Sequence, residues 1–213
     1  MKHRIALLGF GVVGQGFAEI LKNKKQVLEE QFGLDAAIVA VSDVMKGSVY
    51  HPDGLSIEDL LAVVKETGKL DDYPEQEGLI RGLNSFETIK QTNADTIVEV
   101  TFTDVKTGQP AIDHCQCAFE YGKNVIMSNK GPVALAYAQL KEMAEKRNVR
   151  WGFEGSVMSG TPSLRMPVTS LAGNDIYEIQ GILNGTTNYM LTRMEDGLSY
   201  DEALSEAQKL GYA

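Results

Sequence analysis

Cysteine, basic charge and long apolar runs are what this chain has little of. Its two cysteines, Cys115 and Cys117, are too few for a disulfide framework. They stand in His114-Cys-Gln-Cys, and on a helix Cys115 and Cys117 point to roughly opposite faces. Only His114 and Cys117 share a face, two ligands short of a structural zinc site. Packed or surface thiols, reduced as in a cytoplasmic protein, are the expectation. The 20 Lys and Arg against 29 Asp and Glu leave a net charge of -9, which argues against nucleic acid or an anionic membrane as main partner. Phosphate recognition must then be local, through helix N-termini and a few basic side chains. No apolar run could span a bilayer, and no signal-peptide h-region with a cleavage site opens the chain. The remaining composition, 43% hydrophobic and 23% charged over 213 residues, suits one good core, or one domain and part of another.

What is present is organised around Arg4 to Glu19, RIALLGFGVVGQGFAE. Ile5 to Leu8 is a continuous apolar run, as in a strand buried on both faces. Gly9, Gly11 and Gly14 then spell G-x-G-x-x-G, and apolar residues at helical spacing follow through Val12, Val13, Phe17, Ile20 and Leu21. Gly9 permits a tight turn, Gly11 lets the backbone approach a pyrophosphate, and Gly14 lets helix and strand pack closely. The helix start offers free N–H groups and the positive end of its dipole. Bare G-x-G-x-x-G is weak, but a strand before it and a helix after it are the context that gives it meaning.

A single helix is expected from Val12 to Gln31, ended by Gly33, and a second buried strand from Ala36 to Ser42. Asp43 then stands at the strand's carboxyl end, where an acid accepts hydrogen bonds from the adenosine ribose, or where a plain turn residue sits. Its distance from the glycines exceeds the usual ~20 residues. Lys46 is a base that could meet a 2′-phosphate, so NAD and NADP both stay open. Lys46 to Leu83 reads as a surface excursion with one capped helix after Ser56. Ser85 to Thr92 is a short helix, Thr96 to Val100 a third buried strand, Gln109 to Tyr121 a helix and Val125 to Met127 a fourth strand. Ligands of open α/β sheets lie beyond the carboxyl ends of the strands. Thr101 and Thr103 are therefore placed to contact the nicotinamide side, or else to cap the next helix. Lys130 is a cation on the same rim, although a lone loop lysine is ordinarily solvated. Leu135 to Asn148 is an amphipathic helix, and Val149 to Phe153 completes the sheet. The small residues from Glu154 to Pro162 mark a domain boundary. A helix from Pro162 to Leu171, a strand from Ile176 to Leu183 and two capped helices follow.

Six stretches together resemble the homoserine dehydrogenase family: Gly9-Phe-Gly-Val-Val-Gly, Val98-Glu-Val-Thr-Phe-Thr, Gly122-Lys-Asn-Val-Ile-Met-Ser-Asn-Lys, Glu154-Gly-Ser-Val-Met-Ser-Gly-Thr-Pro, Ile182-Leu-Asn-Gly-Thr-Thr-Asn-Tyr-Met-Leu and Glu206-Ala-Gln-Lys-Leu-Gly-Tyr-Ala. The first is shared by many dehydrogenases, and the last three are quite specific. The resemblance implies a Rossmann-like, doubly wound, mostly parallel α/β sheet over residues 1–154. Residues 155–213 would be the start of an α+β substrate and dimerisation domain. It implies the reversible oxidation of L-homoserine to L-aspartate 4-semialdehyde with NAD or NADP, on the route to threonine and methionine, by a homodimer in the full-length form. Gly9, Phe10, Gly11, Val12, Val13, Gly14, Asp43, Thr101, Thr103 and Lys130 would contact the cofactor, with Lys130 also beside the reacting oxygen. Gly185, Thr186 and Tyr212 would line the amino-acid pocket, Thr186 doubling as an N-cap. Glu154, Val157, Ser159 and Thr161 resemble a monovalent-cation (sodium) loop, with a packing or helix-dipole carboxylate as the alternative for Glu154. The family pattern continues past Leu210-Gly-Tyr-Ala with an acidic run and a lysine. A fragment of a longer protein, or a short form of impaired chemistry, is therefore expected. A module that binds nucleotide without turnover is the rival reading.

Overall fold

A computed structural model describes residues 2–212; Ala213, which closes the last motif, lies outside them. The chain divides into two compact units, Met1–Ser156 and Val157–Ala213. The first is built on a seven-stranded sheet. In chain order the strands are β1 (His3–Leu8), β2 (Ala36–Asp43), β3 (Gly47–Tyr50), β4 (Ile80–Arg81), β5 (Thr96–Glu99), β6 (Asn124–Met127) and β7 (Trp151–Gly152), and they lie in the order β4-β3-β2-β1-β5-β6-β7. β2, β1, β5, β6 and β7 run parallel, whereas β3 and β4 are antiparallel additions at one edge.

Successive side chains of a strand point to opposite faces, and both faces here are covered. Ala6 and Leu8 of β1 pack with Ile89, Cys115, Phe119 and Leu140, carried by α4 (Ser85–Gln91), α5 (Ala111–Glu120) and α6 (Gly131–Arg147). Ile5 and Leu7 pack on the other face with Ala18 and Leu21 of α1 (Val12–Asn23) and with Leu60, Val63 and Val64 of α3 (Ile57–Thr67). Continuous apolar runs such as IALL follow from this double burial.

The expected long first helix is two helices, α1 and α2 (Lys25–Phe32), broken at Lys24 (φ -108°, ψ 10°). The fully buried stripe ends at Leu21 and α2 adds only half-buried Leu28 to the core, so little packing holds the two on one axis. Residues 46–83 are no surface excursion either. They supply β3, α3 and β4, and their Val49, Leu60, Leu70 and Tyr73 join the core. Two short strands flanking a helix give too little periodicity to be seen in the sequence.

Both cysteines of the first unit are buried and unpaired, and the thiol of Cys115 is pushed up by burial and then by nearby Glu99. Among the described residues no helix is long and apolar enough to cross a membrane.

The second unit comprises α7 (Arg165–Ser170), α8 (Gly185–Glu195) and α9 (Tyr200–Lys209). Met190, Ala203 and Ala207 form its small core, and Glu206 accepts from Tyr189 and Arg193. The strand expected at Ile176 to Leu183 is absent. A strand exists through its ladder, and among the described residues every strand belongs to the sheet of the first unit. Ile176, Tyr177, Ile179, Ile182 and Leu183 stay exposed.

Leu60 tests the place of residues 46–83. Its side chain is 0% exposed, so Leu60→Ala is expected to cost about 2–5 kcal/mol in urea denaturation. A loss below ~0.5 kcal/mol, typical of a surface position, would return the segment to the periphery.

Candidate functional site

The register of the sheet determines where the chemistry-bearing residues emerge. Leu8 pairs with Ser42 on one side and with Glu99 on the other, and Glu99 pairs with Met127. Four parallel strands therefore end on one line, and the residues just past it are Gly9, Asp43, Val100 to Thr103 and Ser128 to Lys130.

The first of these turns is as tight as its glycines allow. Gly9 has φ +93°, and a Cβ on it would lie 2.6 Å from the Val100 carbonyl oxygen. A Cβ on Gly14 would lie 2.5 Å from the Gly9 oxygen. Both absences are required by the protein itself. Gly11 differs, because a Cβ there meets no atom within 4 Å. It faces open space at the start of α1, where unpaired N–H groups point outward, so this cradle fits a pyrophosphate. Phe10 contributes only its backbone to the turn, since its side chain is fully buried; Val12 and Val13 are exposed.

A cavity of about 720 Å³ adjoins this turn, lined by Gly9, Gly11, Asp43, Lys46, Asp71, Ser85, Thr101 and His114 among others. Asp43 ties its walls together. One carboxylate oxygen accepts from Phe10 N–H at 2.8 Å, and the other accepts from Met45 N–H and Lys46 N–H at 2.9 and 3.0 Å. Burial alone would raise this carboxyl. The three N–H donors and the Lys46 charge outweigh burial and hold it below the usual carboxylate value. Asp43 thus fixes the glycine-rich turn to the end of β2, and the oxygen that accepts only from Phe10 N–H keeps a further lone pair for a ribose hydroxyl.

A second cavity, about 380 Å³, is lined by Thr101, Phe102, Thr103, Asn129, Lys130 and Leu135, with Thr101 and Phe102 common to both. Lys130 sits at the N-cap of α6 and is exposed, and its ammonium has no ion-pair partner among the described residues. The next residue, Gly131, lies so close to the Thr103 loop that a Cβ would meet Thr103 Cγ2 at 2.7 Å and Gly108 Cα at 2.8 Å. Neither threonine caps the following helix. The Thr101 hydroxyl donates to Glu99, the Thr103 hydroxyl is buried without a partner, and the turn is made by Asp104, which accepts from Lys106 N–H and Thr107 N–H.

In the second unit Gly185 and Tyr212 share a cavity of about 350 Å³ with Asn188, Tyr189, Thr192 and Arg193. The N-cap of α8 is Asn184, which accepts from Thr187 N–H at 2.8 Å. Thr186 is therefore not the cap, and its hydroxyl donates to the Tyr212 carbonyl. Glu154 lies in a 3-10 turn that closes the first unit, and Val157, Ser159 and Thr161 open the second. Ser159 and its neighbour Met158 both take left-handed backbone angles. The carbonyls of Val157 and Thr161 already accept from Ser163, through its hydroxyl and its N–H respectively. Among the described residues no group of three or more His, Cys, Asp or Glu could hold a metal ion.

Sequence reasoning missed Asp71, Ser85 and His114 as cavity residues and Asn129 beside Lys130. Asp71 and Ser85 follow segments whose strands were unreadable. His114 was weighed only as a metal ligand.

The lowered Asp43 carboxyl has a consequence with a definite sign. Its folded value lies below its unfolded one, so its contribution to stability is full above the ordinary carboxylate range and is lost as pH falls through the folded value. The stability gap between the wild type and Asp43→Asn should stay constant from about pH 7 to 5 and close below about pH 4. Urea titrations giving an equal gap at both ends would contradict the anchoring role.

Comparison with known proteins converges on one family. The model described as homoserine dehydrogenase matches residues 162–213, and that of glutamate/leucine/phenylalanine/valine dehydrogenase matches residues 1–111, the half that carries the glycine-rich turn. An NAD(+)-dependent homoserine dehydrogenase of Pseudomonas canavaninivorans is 42% identical over 100% of this chain and 59% of its own length. A homoserine dehydrogenase of Methanocaldococcus jannaschii is 41% identical over 98% of this chain and 61% of its own. Among solved structures, a hyperthermophilic archaeal homoserine dehydrogenase in complex with NADPH has a TM-score of 0.81 at 29% identity, covering 100% of this chain and 62% of that one. The chain thus spans about three fifths of the length of these relatives. Similarity that runs along the whole chain, through both units, is to homoserine dehydrogenases, and it is to the homoserine dehydrogenase family that this chain belongs.

Proposed function

We propose that this chain carries the cofactor half and the first part of the substrate half of an enzyme that interconverts L-homoserine and L-aspartate 4-semialdehyde with NAD or NADP, in threonine and methionine biosynthesis. One observation carries the reading: the Gly9–Gly14 turn and Lys130 lie on the same sheet rim, in two cavities that share Thr101. A dinucleotide bound along that rim would run from Asp43, past Gly11, towards Lys130. The nicotinamide, when bound, supplies the hydride acceptor. This chain's residues supply the following parts. Backbone N–H groups at the start of α1 take the pyrophosphate, and Asp43 orients the adenosine ribose. Lys46 and Asp71 flank the same end with opposite charges, so both cofactors enter the test. The unpaired ammonium of Lys130 would stabilise negative charge on the substrate oxygen and relay its proton. Gly185, Thr186 and Tyr212 are assigned to the amino-acid pocket.

The family resemblance extends the proposal to a sodium ion held by Glu154 and by the carbonyls of Val157, Ser159 and Thr161, to a homodimer, and to a cytoplasmic location, with which unpaired Cys115 and Cys117 accord. A sodium ion would have to share the Val157 and Thr161 carbonyls with Ser163.

The decisive experiment is the initial rate of homoserine-dependent reduction of NAD and of NADP, in sodium and in choline buffers. A rate establishes the enzyme and its cofactor. Cofactor binding without any rate supports a nucleotide-binding module instead, and equal rates in choline remove the cation. In the active enzyme Lys130→Ala should lower turnover by at least ~10²-fold while cofactor affinity stays within a few-fold. Near-normal turnover would clear Lys130 of the chemistry. Gly11→Val should abolish NADH binding, followed by fluorescence, and leave the melting temperature nearly unchanged, because a Cβ there meets no protein atom within 4 Å. Retained binding would dismiss the glycine-rich turn as the phosphate site.

A further inference from the structure

Glu99 is a carboxyl side chain with 0% exposure at the end of a strand whose other residues are Thr96, Ile97 and Val98. A carboxyl group so placed is costly unless each oxygen is hydrogen-bonded. Both are, and every donor comes from a segment that walls a cavity. Oε1 accepts from the Thr101 hydroxyl, from Thr101 N–H at 3.3 Å, and lies 3.3 Å from Nδ1 of buried His114. Oε2 accepts from Nδ2 of Asn129, whose amide also donates to the Thr101 carbonyl at 2.9 Å. The chain continues beyond His114, whose Nε2 is 2.8 Å from the Ser85 hydroxyl, with the Phe86 ring 4.9 Å from its own. On the other side the Asn129 carbonyl accepts from the Ser156 hydroxyl at 2.8 Å.

These contacts share one geometry. Thr101 lines both cavities, Ser85 and His114 line the nucleotide-side cavity, and Asn129 precedes Lys130 in the other. No other side chain named in the site touches all three segments. We propose that Glu99 is the positioning residue of the reaction site. Its carboxyl group sets the place of Asn129, and hence of the Lys130 backbone, relative to Thr101 and the nucleotide-side wall. It acts through these neighbours and not on substrate. The inference rests on the assignment of Lys130 to the reaction, and the test separates the two.

Glu99→Gln keeps the shape and one acceptor, but it turns an amide donor towards Asn129 or towards the Thr101–His114 pair. One donor on that side then loses its acceptor. In the active enzyme kcat should fall at least ~10-fold while KM for cofactor and for homoserine moves less than ~3-fold. The primary isotope effect with homoserine deuterated at the carbinol carbon should rise, as misplaced groups slow hydride transfer. A purely structural role would lower the fraction of folded enzyme and leave kcat per bound NADH and the isotope effect unchanged, and that result overturns the proposal. A second arm needs no turnover. Backbone ¹⁵N order parameters of Ser128 to Gly131 should drop from about 0.85 towards 0.6 in Glu99→Gln. Asn129→Ala, which leaves Glu99 in place, should loosen the same four residues should Glu99→Gln fail to fold. Unchanged order in the folded variants overturns the positioning role even if the wild type shows no rate; absence of a wild-type rate counts against the proposed activity alone.

Discussion

The site depends on a shared strand register. Parallel pairing aligns Leu8 with Ser42 and Glu99, and Glu99 with Met127. Every loop leaving those strands therefore starts at one height above the sheet. A slip of one residue in any of them would send its side chains to the other face. It would also move the corresponding loop by one strand rise, about 3.3 Å, more than a hydrogen bond's length. The core enforces the register from both sides, because Ile5 and Leu7 on one face and Ala6 and Leu8 on the other are all buried.

Close backbone approach is the second constraint, and it explains why three glycines in one motif answer to different causes. Gly9 is held by the left-handed angle and by the Val100 carbonyl, and Gly14 by the Gly9 carbonyl. A side chain at either would push β1, β5 and α1 apart. Gly11 is free of any such contact. No backbone or side-chain atom demands a glycine there, so on the proposed function the demand would come from the ligand. The same logic reaches Gly131, whose absent Cβ lets the start of α6 close on the Thr103 loop and carries Lys130 to the rim.

The parallel half of the sheet was legible because its strands are buried on both faces and read as apolar runs: IALL, AIVAV, TIV and VIM. Their carboxyl ends therefore located Gly9, Asp43, Thr101 and Lys130. The antiparallel edge was not legible. β4 is two residues long and β3 four, too short for a period of two to register. The break at Lys24 escaped because apolar periodicity fades gradually while the helix stops abruptly. The stretch from Ile176 to Leu183 shows the converse: strand-like composition does not make a strand without a partner in the ladder. Glu99 escaped for a different reason. One acid inside an apolar run looks like a solvated strand end, and its meaning lies in donors that arrive from residues 101, 114 and 129.

Charge explains how a chain with a net charge of -9 could hold the anionic dinucleotide proposed for it. The cradle around Gly11 offers backbone N–H groups, and its nearest carboxylate, Asp43, is itself bound by three of them. An anion there meets fixed dipoles whose orientation costs nothing at the moment of binding. Mobile lysines would pay side-chain entropy for the same contact and would be screened by salt. On the proposed function Lys130, an exposed lysine without an ion-pair partner among the described residues, would be spared that task at the other end of the rim. A division of labour would follow from the proposed function: backbone dipoles would hold the phosphates, and the Lys130 cation would be left for the atom on which charge changes.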